Sequence, residues 1–468
     1  MLKADIGLFG LAVMGSNLAL NIAENGYKVA VSNRSPSKID DIMDMAGELS
    51  GQFIPNADLG AFVQSVKKPR SIIIMVKAGK AVDLTIEALL EYMEEGDAII
   101  EAGNANYRDS MRRYEDLRVR GIGFLGVGVS GGEEGARFGP SIMVGGTKEQ
   151  WHNAEEILTA ISAKFNGEPC AAYLGTSGAG HFVKTIHNGI EYADMQMIAE
   201  VFGVMRDGLG MTPAECAQVF KNWNKGSLNS YLVEITAHVL EAVDEKTGKP
   251  LVELILDKAG QKGTGRWSAI AAQELGVAAT TIEGAVAARS ISALKDERIA
   301  AQSIYGAPGA GNADISLEQL EQALLAGKIA AYAQGFAIMS KASEENGWEL
   351  PLGTIARIWR AGCIIRSGFL DQMAKSYEKE QTVNLLVAPD FVKIMQANNG
   401  ALREVVAAGA RGAFPLPCLC AALSYFDGYR QANGTASLIQ GQRDFFGAHG
   451  FILTDREGEQ HGNWPSTL

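Results

Sequence analysis

The chain has 468 residues, of which 47% are hydrophobic and 21% charged, and its formal net charge is −12. This length exceeds what one hydrophobic core usually organises, so two or three domains are expected. The acidic balance argues against a general binder of nucleic acid or of anionic membranes, although a local basic pocket stays possible.

The start of the chain and its cysteines predict a cytoplasmic protein. A strand-like segment follows the first residues directly, so no signal peptide is expected, and no uninterrupted apolar stretch predicts a membrane span. The five cysteines are scattered and odd in number, which is typical of a reducing compartment. Cys418 and Cys420 lack the spacing of a metal site, and we interpret them as packing residues.

The first part of the chain alternates short apolar runs with helical segments. The predicted strands are residues 5–9, 28–32, 71–76, 97–100 and 123–129. Continuous apolar runs are typical of strands buried on both faces, which predicts a parallel sheet covered by helices. We interpret residues 1–177 as a Rossmann-type α/β domain.

A glycine-rich turn follows the first predicted strand and opens a helix. It reads Gly10-Leu11-Ala12-Val13-Met14-Gly15 and fits G-x-G-x-x-G with Ala in the middle position. Small residues there let backbone amides approach a pyrophosphate at the positive end of the helix. The turn predicts a dinucleotide site; the alternative is a chance glycine-rich turn.

The end of the second predicted strand bears on the choice of coenzyme. An NAD site usually carries Asp or Glu at this point, but this chain has Asn33, Arg34 and Ser35. A guanidinium suits a 2′-phosphate, which a carboxylate would repel. We therefore favour NADP over NAD; the alternative is that Arg34 is an ordinary surface residue.

Three later loops follow predicted strands at the same edge of the sheet. One contains Met75, Val76 and Lys77, the second Asn104, and the third Ser130, Gly131 and Gly132. Ligands of open α/β sheets bind along this edge, and a bare Ser-Gly-Gly turn can accept an anion. Taken singly, each is more simply an ordinary turn.

From about Gly178 onwards the sequence consists of long Ala-, Leu- and Glu-rich stretches, and few segments have the pattern of a strand. These stretches predict an all-helical domain over residues 178–434. Residues 435–468 end in a polar segment, which is either a frayed terminus or an arm that reaches a neighbouring subunit.

Five polar residues near the middle of the chain share one helical stripe. They are Lys184, His187, Asn188, Glu191 and Tyr192, at i, i+3, i+4, i+7 and i+8. An amine, an imidazole, an amide, a carboxylate and a phenol on one rigid helix suit proton transfer on a polar substrate. The alternative is a solvated helix face.

Together these residues resemble the decarboxylating 6-phosphogluconate dehydrogenases, NADP enzymes of the pentose phosphate pathway. The resemblance covers essentially the full length and rests on residues 10–15, 33–35, 75–79, 128–135, 181–192, 262–265 and 442–449. One departure is Glu101-Ala102, where the family usually has Asp-Gly.

The resemblance implies a role for each matching residue. Lys184 would be the general base and Glu191 the general acid. The residues implied to hold 6-phosphogluconate are Asn104, Ser130, Gly131, Gly132, His187, Asn188, Tyr192, Lys262 and Arg289, with Arg443 and His449 from the partner subunit. The resemblance also implies a homodimer with interlocked C-terminal arms.

The implied chemistry needs no metal. A neutral Lys184 removes the 3-hydroxyl proton while hydride leaves for NADP, and the resulting ammonium stabilises the enediolate after CO₂ is lost. Burial and a cationic surrounding would lower the pKa of Lys184, with contributions from His187, Lys262 and Arg289 if they lie close, and burial would favour a protonated Glu191 until it protonates C1. Two alternatives stay open: a catalytically dead NADP-binding scaffold, and a β-hydroxyacid dehydrogenase that does not decarboxylate.

Overall fold

The computed structural model describes residues 3–261, 263–309, 313–380 and 383–464. Its main sheet has eight strands: β1 (Ile6–Phe9), β2 (Val29–Ser32), β3 (Phe53–Pro55), β4 (Ser71–Ile74), β5 (Ala98–Glu101), β6 (Gly123–Val129), β7 (Ile142–Gly146) and β10 (Ala171–Gly175). All five predicted strands are present, with ends that differ by at most two residues, and β6 has the predicted bounds. The sequence missed β3, β7 and β10.

The strand order is β10-β7-β6-β5-β4-β1-β2-β3, and the prediction of a parallel sheet is wrong at one place. Strand β7 runs antiparallel to β6, while the other neighbours are parallel. The chain leaves β1 in one direction to β2 and later returns on its other side with β4. Such a reversal opens a crevice at the carboxyl ends of the strands, where ligands of this fold bind.

The other half is helical, as predicted. The first helices cover the sheet: α1 (Val13–Glu24), α2 (Ser37–Ala46), α3 (Leu59–Gln64), α4 (Lys80–Leu90), α5 (Tyr107–Arg118), α6 (Gly132–Phe138) and α7 (Lys148–Ile161). The second half has α8 (Ala179–Gly203), α9 (Pro213–Trp223), α10 (Tyr231–Glu241), α11 (Leu251–Leu254), α12 (Thr264–Glu274), α13 (Thr280–Ser292), α14 (Lys295–Tyr305), α15 (Leu317–Asn346), α16 (Leu352–Ile358), α17 (Leu370–Lys379), α18 (Pro389–Gly412), α19 (Pro417–Tyr429) and α20 (Ala436–Gly447).

Two long helices, α8 and α15, lie at the centre of the helical half. By length and composition alone, helix α15 could cross a membrane. This helix was not singled out from the sequence as long and apolar. In its most apolar 18-residue stretch, 89% of the residues are buried inside the protein. Helix α15 is therefore a core helix here, packed against α8 and α18.

Two small hairpins complete the fold. The pair β8 (Lys164–Phe165) and β9 (Glu168–Pro169) precedes β10, and β11 (Phe451–Leu453) pairs with β12 (Arg456–Gln460) near the end. Asp444 of α20 organises the tail, since its carboxylate accepts hydrogen bonds from the backbone N–H groups of Gly450 and Gly462. The polar segment 455–462 is therefore mostly an ordered strand rather than a frayed end.

Candidate active site

The glycine-rich turn has the close contacts that its sequence requires. Gly10 has φ +106°, and a Cβ atom there would lie 2.4 Å from the carbonyl oxygen of Met75. A Cβ atom on Gly15 would lie 1.9 Å from the carbonyl oxygen of Gly10. Helix α1 begins at Val13, and Ala12 at its N-cap gives no side-chain cap. The first N–H groups of α1 thus have no capping side chain, which fits a bound pyrophosphate.

Asn33 connects this turn to the end of β2. Its Oδ1 accepts a hydrogen bond from the N–H of Leu11 at 3.0 Å, and its Nδ2 donates to the carbonyl oxygen of Ser35 at 3.1 Å. Arg34 is exposed and has no hydrogen bond or ion pair with any residue that the structure describes. The guanidinium is therefore available to an anion beside the turn.

Two of the later loops touch at the carboxyl edge of the sheet. A Cβ atom on Gly103 would lie 2.9 Å from the carbonyl oxygen of Val76, so only glycine permits this approach. Met75 is buried, whereas Lys77 and Asn104 are exposed. These two polar side chains are therefore open to solvent on the loops that follow β4 and β5 at this edge.

The polar stripe lies on α8, but four of its five side chains are buried. Lys184, His187, Asn188 and Tyr192 are all below a tenth exposed, and the Glu191 side chain keeps 15% of its surface exposed. The alternative of a solvated helix face is therefore wrong. The stripe is buried because the first turns of α8 cross the sheet: a Cβ atom on Gly128 of β6 would lie 2.5 Å from Cβ of Lys184.

A chain of hydrogen bonds runs along the stripe. Lys184 Nζ donates to Ser130 Oγ at 3.0 Å, and Ser130 Oγ lies 3.2 Å from His187 Nε2. His187 Nδ1 lies 3.0 Å from Asn188 Oδ1, and Asn188 Nδ2 donates to Thr264 Oγ1 at 2.9 Å. In the tautomer that carries the proton on Nδ1, this nitrogen donates to Asn188 Oδ1 and Nε2 accepts from the Ser130 hydroxyl.

The pKa values of the stripe move in the directions that an amine base and a carboxyl acid require. Burial lowers the pKa of Lys184, and the negative charge of Glu191 opposes part of that shift. Burial raises the pKa of Glu191, and Lys184 and Arg289 oppose this rise. Burial and Lys184 together hold the pKa of His187 well below its ordinary value. His187 is thus a neutral hydrogen-bonding group.

The expected cationic cause of the Lys184 shift is wrong for the residues described. Burial provides the shift, and neither His187 nor Arg289 adds to it. Arg289 instead stacks on Tyr192, with Cζ 3.4 Å from the ring centroid, and its Nη1 donates to the carbonyl oxygen of Gly260 at 3.0 Å. Lys262, the other predicted cation, lies outside the described residues.

The structure does not bring Arg443 and His449 to the stripe of their own chain. Both are exposed on the tail: Arg443 Nη1 donates to Gln440 Oε1 at 3.0 Å, and His449 packs against Phe446. Ser130, Gly131 and Gly132 do lie beside the stripe, at the end of β6 and the start of α6.

Three residues around the stripe were not assigned to the site from the sequence. Thr264 at the start of α12 holds Asn188, and the buried Trp359 ring packs edge-on against His187 with 5.3 Å between centroids. His181 is buried one turn before Lys184, and its Nδ1 lies 2.7 Å from Ser110 Oγ. A threonine within the motif 262–265 was a usable signal for Thr264, whereas nothing local marks Trp359.

Both halves of the chain match known proteins. Residues 5–175 match the NAD binding domain of 6-phosphogluconate dehydrogenase, and residues 180–464 match the C-terminal domain of 6-phosphogluconate dehydrogenase. The decarboxylating 6-phosphogluconate dehydrogenase of Bacillus licheniformis is 47% identical over 99% of this chain and 100% of its own. Two Bacillus subtilis relatives, named NAD(+)-dependent and NADP(+)-dependent, are 49% and 48% identical over 98% and 99% of this chain and 99% and 100% of their own.

A solved structure has the same fold over the whole length. Plasmodium falciparum 6-phosphogluconate dehydrogenase, described in its apo form and in complex with NADP+ and with 6-phosphogluconate, superposes with a TM-score of 0.94. It is 40% identical, and the match covers 98% of this chain and 100% of that one. With its glycine-rich turn, its buried Lys184–Glu191 stripe and full-length similarity to these proteins, the chain belongs to the 6-phosphogluconate dehydrogenase family.

Proposed function

We propose that this protein catalyses the oxidative decarboxylation of 6-phosphogluconate to ribulose 5-phosphate and CO₂, with NADP as the coenzyme. The observation that carries this proposal is the pair formed by the buried Lys184 and the largely buried Glu191, two turns apart on α8, at the edge of the sheet where the dinucleotide turn lies. The names of the relatives support the same reaction.

Lys184 acts first, as the base. Its buried amine has a lowered pKa, so it is more readily neutral and can accept the 3-hydroxyl proton of the sugar acid. Bound NADP supplies the hydride acceptor. The ammonium that forms on Lys184 then stabilises the negative charge that develops on the C3 oxygen as CO₂ leaves. Ser130 keeps the amine in place because its Oγ accepts a hydrogen bond from Lys184 Nζ, and His187 Nε2 holds that hydroxyl in turn.

Glu191 acts second, as the acid. Its raised pKa keeps a larger fraction of the carboxyl protonated near neutral pH, and its partly exposed side chain faces out of the core. It donates its proton to C1 of the enediol that decarboxylation leaves, which gives ribulose 5-phosphate.

The remaining predicted residues hold the two ligands. The substrate set is Asn104, Ser130, Gly131, Gly132, His187, Asn188, Tyr192, Lys262 and Arg289. The coenzyme set is Gly10, Leu11, Ala12, Val13, Met14, Gly15, Asn33, Arg34, Ser35, Met75, Val76, Lys77 and Asn104. The uncapped start of α1 and the close glycine contacts fit a dinucleotide pyrophosphate.

Arg34 supports NADP as the coenzyme. The two Bacillus subtilis relatives differ in coenzyme but are almost equally similar to this chain, so overall identity does not decide the choice. The local chemistry does: an exposed guanidinium without an ion-pair partner among the described residues suits a 2′-phosphate.

We also propose that the protein is a cytoplasmic homodimer. Each chain would have a dinucleotide-binding domain (residues 1–177), a helical domain (178–434) and a C-terminal tail (435–468). Five free thiols support a reducing location. The tail supports a dimer because it exposes Leu438, Phe446 and Ile452, each more than half exposed in the single chain. In such a dimer Arg443 and His449 would complete the phosphate site of the other subunit.

The test follows both products at once. Purified protein with 6-phosphogluconate and NADP is assayed for NADPH by absorbance and for CO₂ by trapping. We expect equal amounts of the two products. NADPH without CO₂ would favour the non-decarboxylating β-hydroxyacid dehydrogenase, and binding of NADP without turnover would favour the inactive scaffold.

A further inference from the structure

A buried ion pair lies directly behind the loops of the coenzyme crevice. Glu101 is the last residue of β5 and has no exposed surface, and Arg113 of α5 is 2% exposed. Arg113 Nη1 donates to Glu101 Oε1 at 2.8 Å. Burial raises the pKa of Glu101 to about 7, although Arg113 opposes this rise.

The same guanidinium also holds the loop on the other side. Arg113 Nη2 donates to the carbonyl oxygen of Gly79 at 3.2 Å, and Nε donates to Asp83 Oδ1 at 2.8 Å. Gly79 is the N-cap of α4 and closes the loop that carries Met75, Val76 and Lys77. One side chain therefore fixes the end of β5 against the start of α4.

The two loops joined in this way are already in contact. The N–H of Ala102 donates to the carbonyl oxygen of Ile74 at 3.0 Å, and Gly103 approaches Val76 too closely for any side chain. A rotation of either loop would open or close the gap between them. Because Arg113 spans both loops with a rigid fork of donors, it restricts that rotation.

We propose that Arg113 and Glu101 are positioning residues that set the spacing of the loops 75–79 and 102–104 around the nicotinamide half of the coenzyme. This inference rests on the proposed function. Neither side chain reaches the crevice surface, since both are buried, so they act through Gly79 and through the backbone that follows Glu101.

A second buried ion pair provides a matched control. Arg70 and Asp97 stand before β4 and β5, at the opposite edge of the sheet, and are 2.7 Å apart and buried. This pair has the same chemistry but no contact with the crevice loops. Arg112, on α5 beside Arg113, also bonds Asp83 but is half-exposed, and it provides a second control.

The experiment compares two ligands on the full-length protein. Adenosine 2′,5′-bisphosphate contacts only the Arg34 end of the crevice, whereas NADP needs both halves. Dissociation constants are measured by calorimetry for wild type, Arg113→Lys, Arg70→Lys and Arg112→Lys. We expect Arg113→Lys to weaken NADP roughly ten- to a hundredfold, the scale of a small misplacement at a site, and to leave the bisphosphate unchanged.

The controls should keep wild-type affinity for both ligands, even where Arg70→Lys lowers the melting temperature. Because loss of a buried charge partner can unfold a protein, Glu101→Gln is a milder second variant. It keeps the shape and one acceptor for Arg113, and it should weaken NADP in the same selective way but less.

Three results would overturn the proposal. Arg113→Lys that binds NADP like wild type would show that the spacing does not depend on this residue. Equal weakening of both ligands, matched by Arg70→Lys, would assign the pair to general stability. Wild-type protein that binds neither ligand would overturn the coenzyme site itself, on which the inference rests.

Discussion

Lys328 and Asp194 form an ion pair in the centre of the helical core, and removing the amine should destabilise the protein strongly. Lys328 of α15 has no exposed surface, Asp194 of α8 is 1% exposed, and Nζ and Oδ2 are 2.5 Å apart. Ser230 Oγ is the only other described hydrogen-bond partner of this amine, at 3.4 Å. Lys328→Met keeps most of the apolar stem but leaves the carboxylate buried without its partner.

The size of the effect follows from this burial. Breaking a buried ion pair on one side typically costs about 3–5 kcal/mol, because the remaining charge stays uncompensated in a medium of low dielectric constant. Exchanging both charges for apolar groups is often near neutral. The double variant with Asp194→Leu should therefore recover most of the loss.

The assay is equilibrium unfolding in urea at one protein concentration, followed by circular dichroism. With an unchanged slope m, the shift of the midpoint gives the change in the free energy of unfolding. The matched control is Lys341→Met on the same helix, where the amine pairs with Glu344 at 3.0 Å on the surface. This control should change the free energy by about 0.5 kcal/mol or less.

The reasoning fails if Lys328→Met costs no more than Lys341→Met. It also fails if the double variant is as unstable as Lys328→Met alone, because the loss would then come from packing and not from the unpaired charge.

Four further predictions concern the site and its pH dependence. Lys184→Met should form almost no NADPH. Glu191→Gln should lose roughly 10²–10⁴-fold in turnover. In heavy water, Glu191→Gln should incorporate deuterium at C1 of the product slowly or without stereochemical preference. Arg34→Ala should lower kcat/KM roughly ten- to a hundredfold for NADP but hardly for NAD, as expected for a charge-assisted contact of ~1.5–3 kcal/mol. Mixed dimers of Arg443→Ala and Lys184→Met should regain activity after subunit exchange, because one site then has both residues. Burial raises the pKa of Glu200 from its ordinary 4.5 to about 7, so the unfolded chain binds fewer protons in this interval. The contribution of Glu200 to the free energy of unfolding should then fall as pH rises from 4.5 to 7. Because Glu101 contributes in the same sense, Glu200→Gln should make the slope less negative without removing it.

Each of these has a contradicting result. Unchanged rate and stereochemistry in Glu191→Gln would remove it from proton transfer. Equal losses with NADP and NAD would show that Arg34 does not read the 2′-phosphate. Mixed dimers without activity after confirmed exchange would place Arg443 in its own subunit or outside the site. An equal pH slope in wild type and Glu200→Gln would assign the slope to other groups.

Much of the fold and the candidate site could be predicted because the signals are local. The glycine-rich turn is recognisable from neighbouring residues, because its spacing lies within one strand–turn–helix unit, and the close contact of Gly15 is with Gly10 of the same turn. The stripe on α8 follows from helical periodicity alone. The short strands β3, β7 and β10 were missed, because their few residues acquire strand geometry only by pairing with segments far away in the chain.

The sequence by itself thus determined which side chains share a face of α8, but only the tertiary structure decided what surrounds that face. Periodicity cannot tell a solvated stripe from a buried one, because burial depends on β6, α12 and Trp359, which come from distant parts of the chain. Burial in turn sets the pKa directions of Lys184 and Glu191. The Arg113 contacts to Gly79 and Glu101 arise in the same way, from three segments that only the folded sheet brings together.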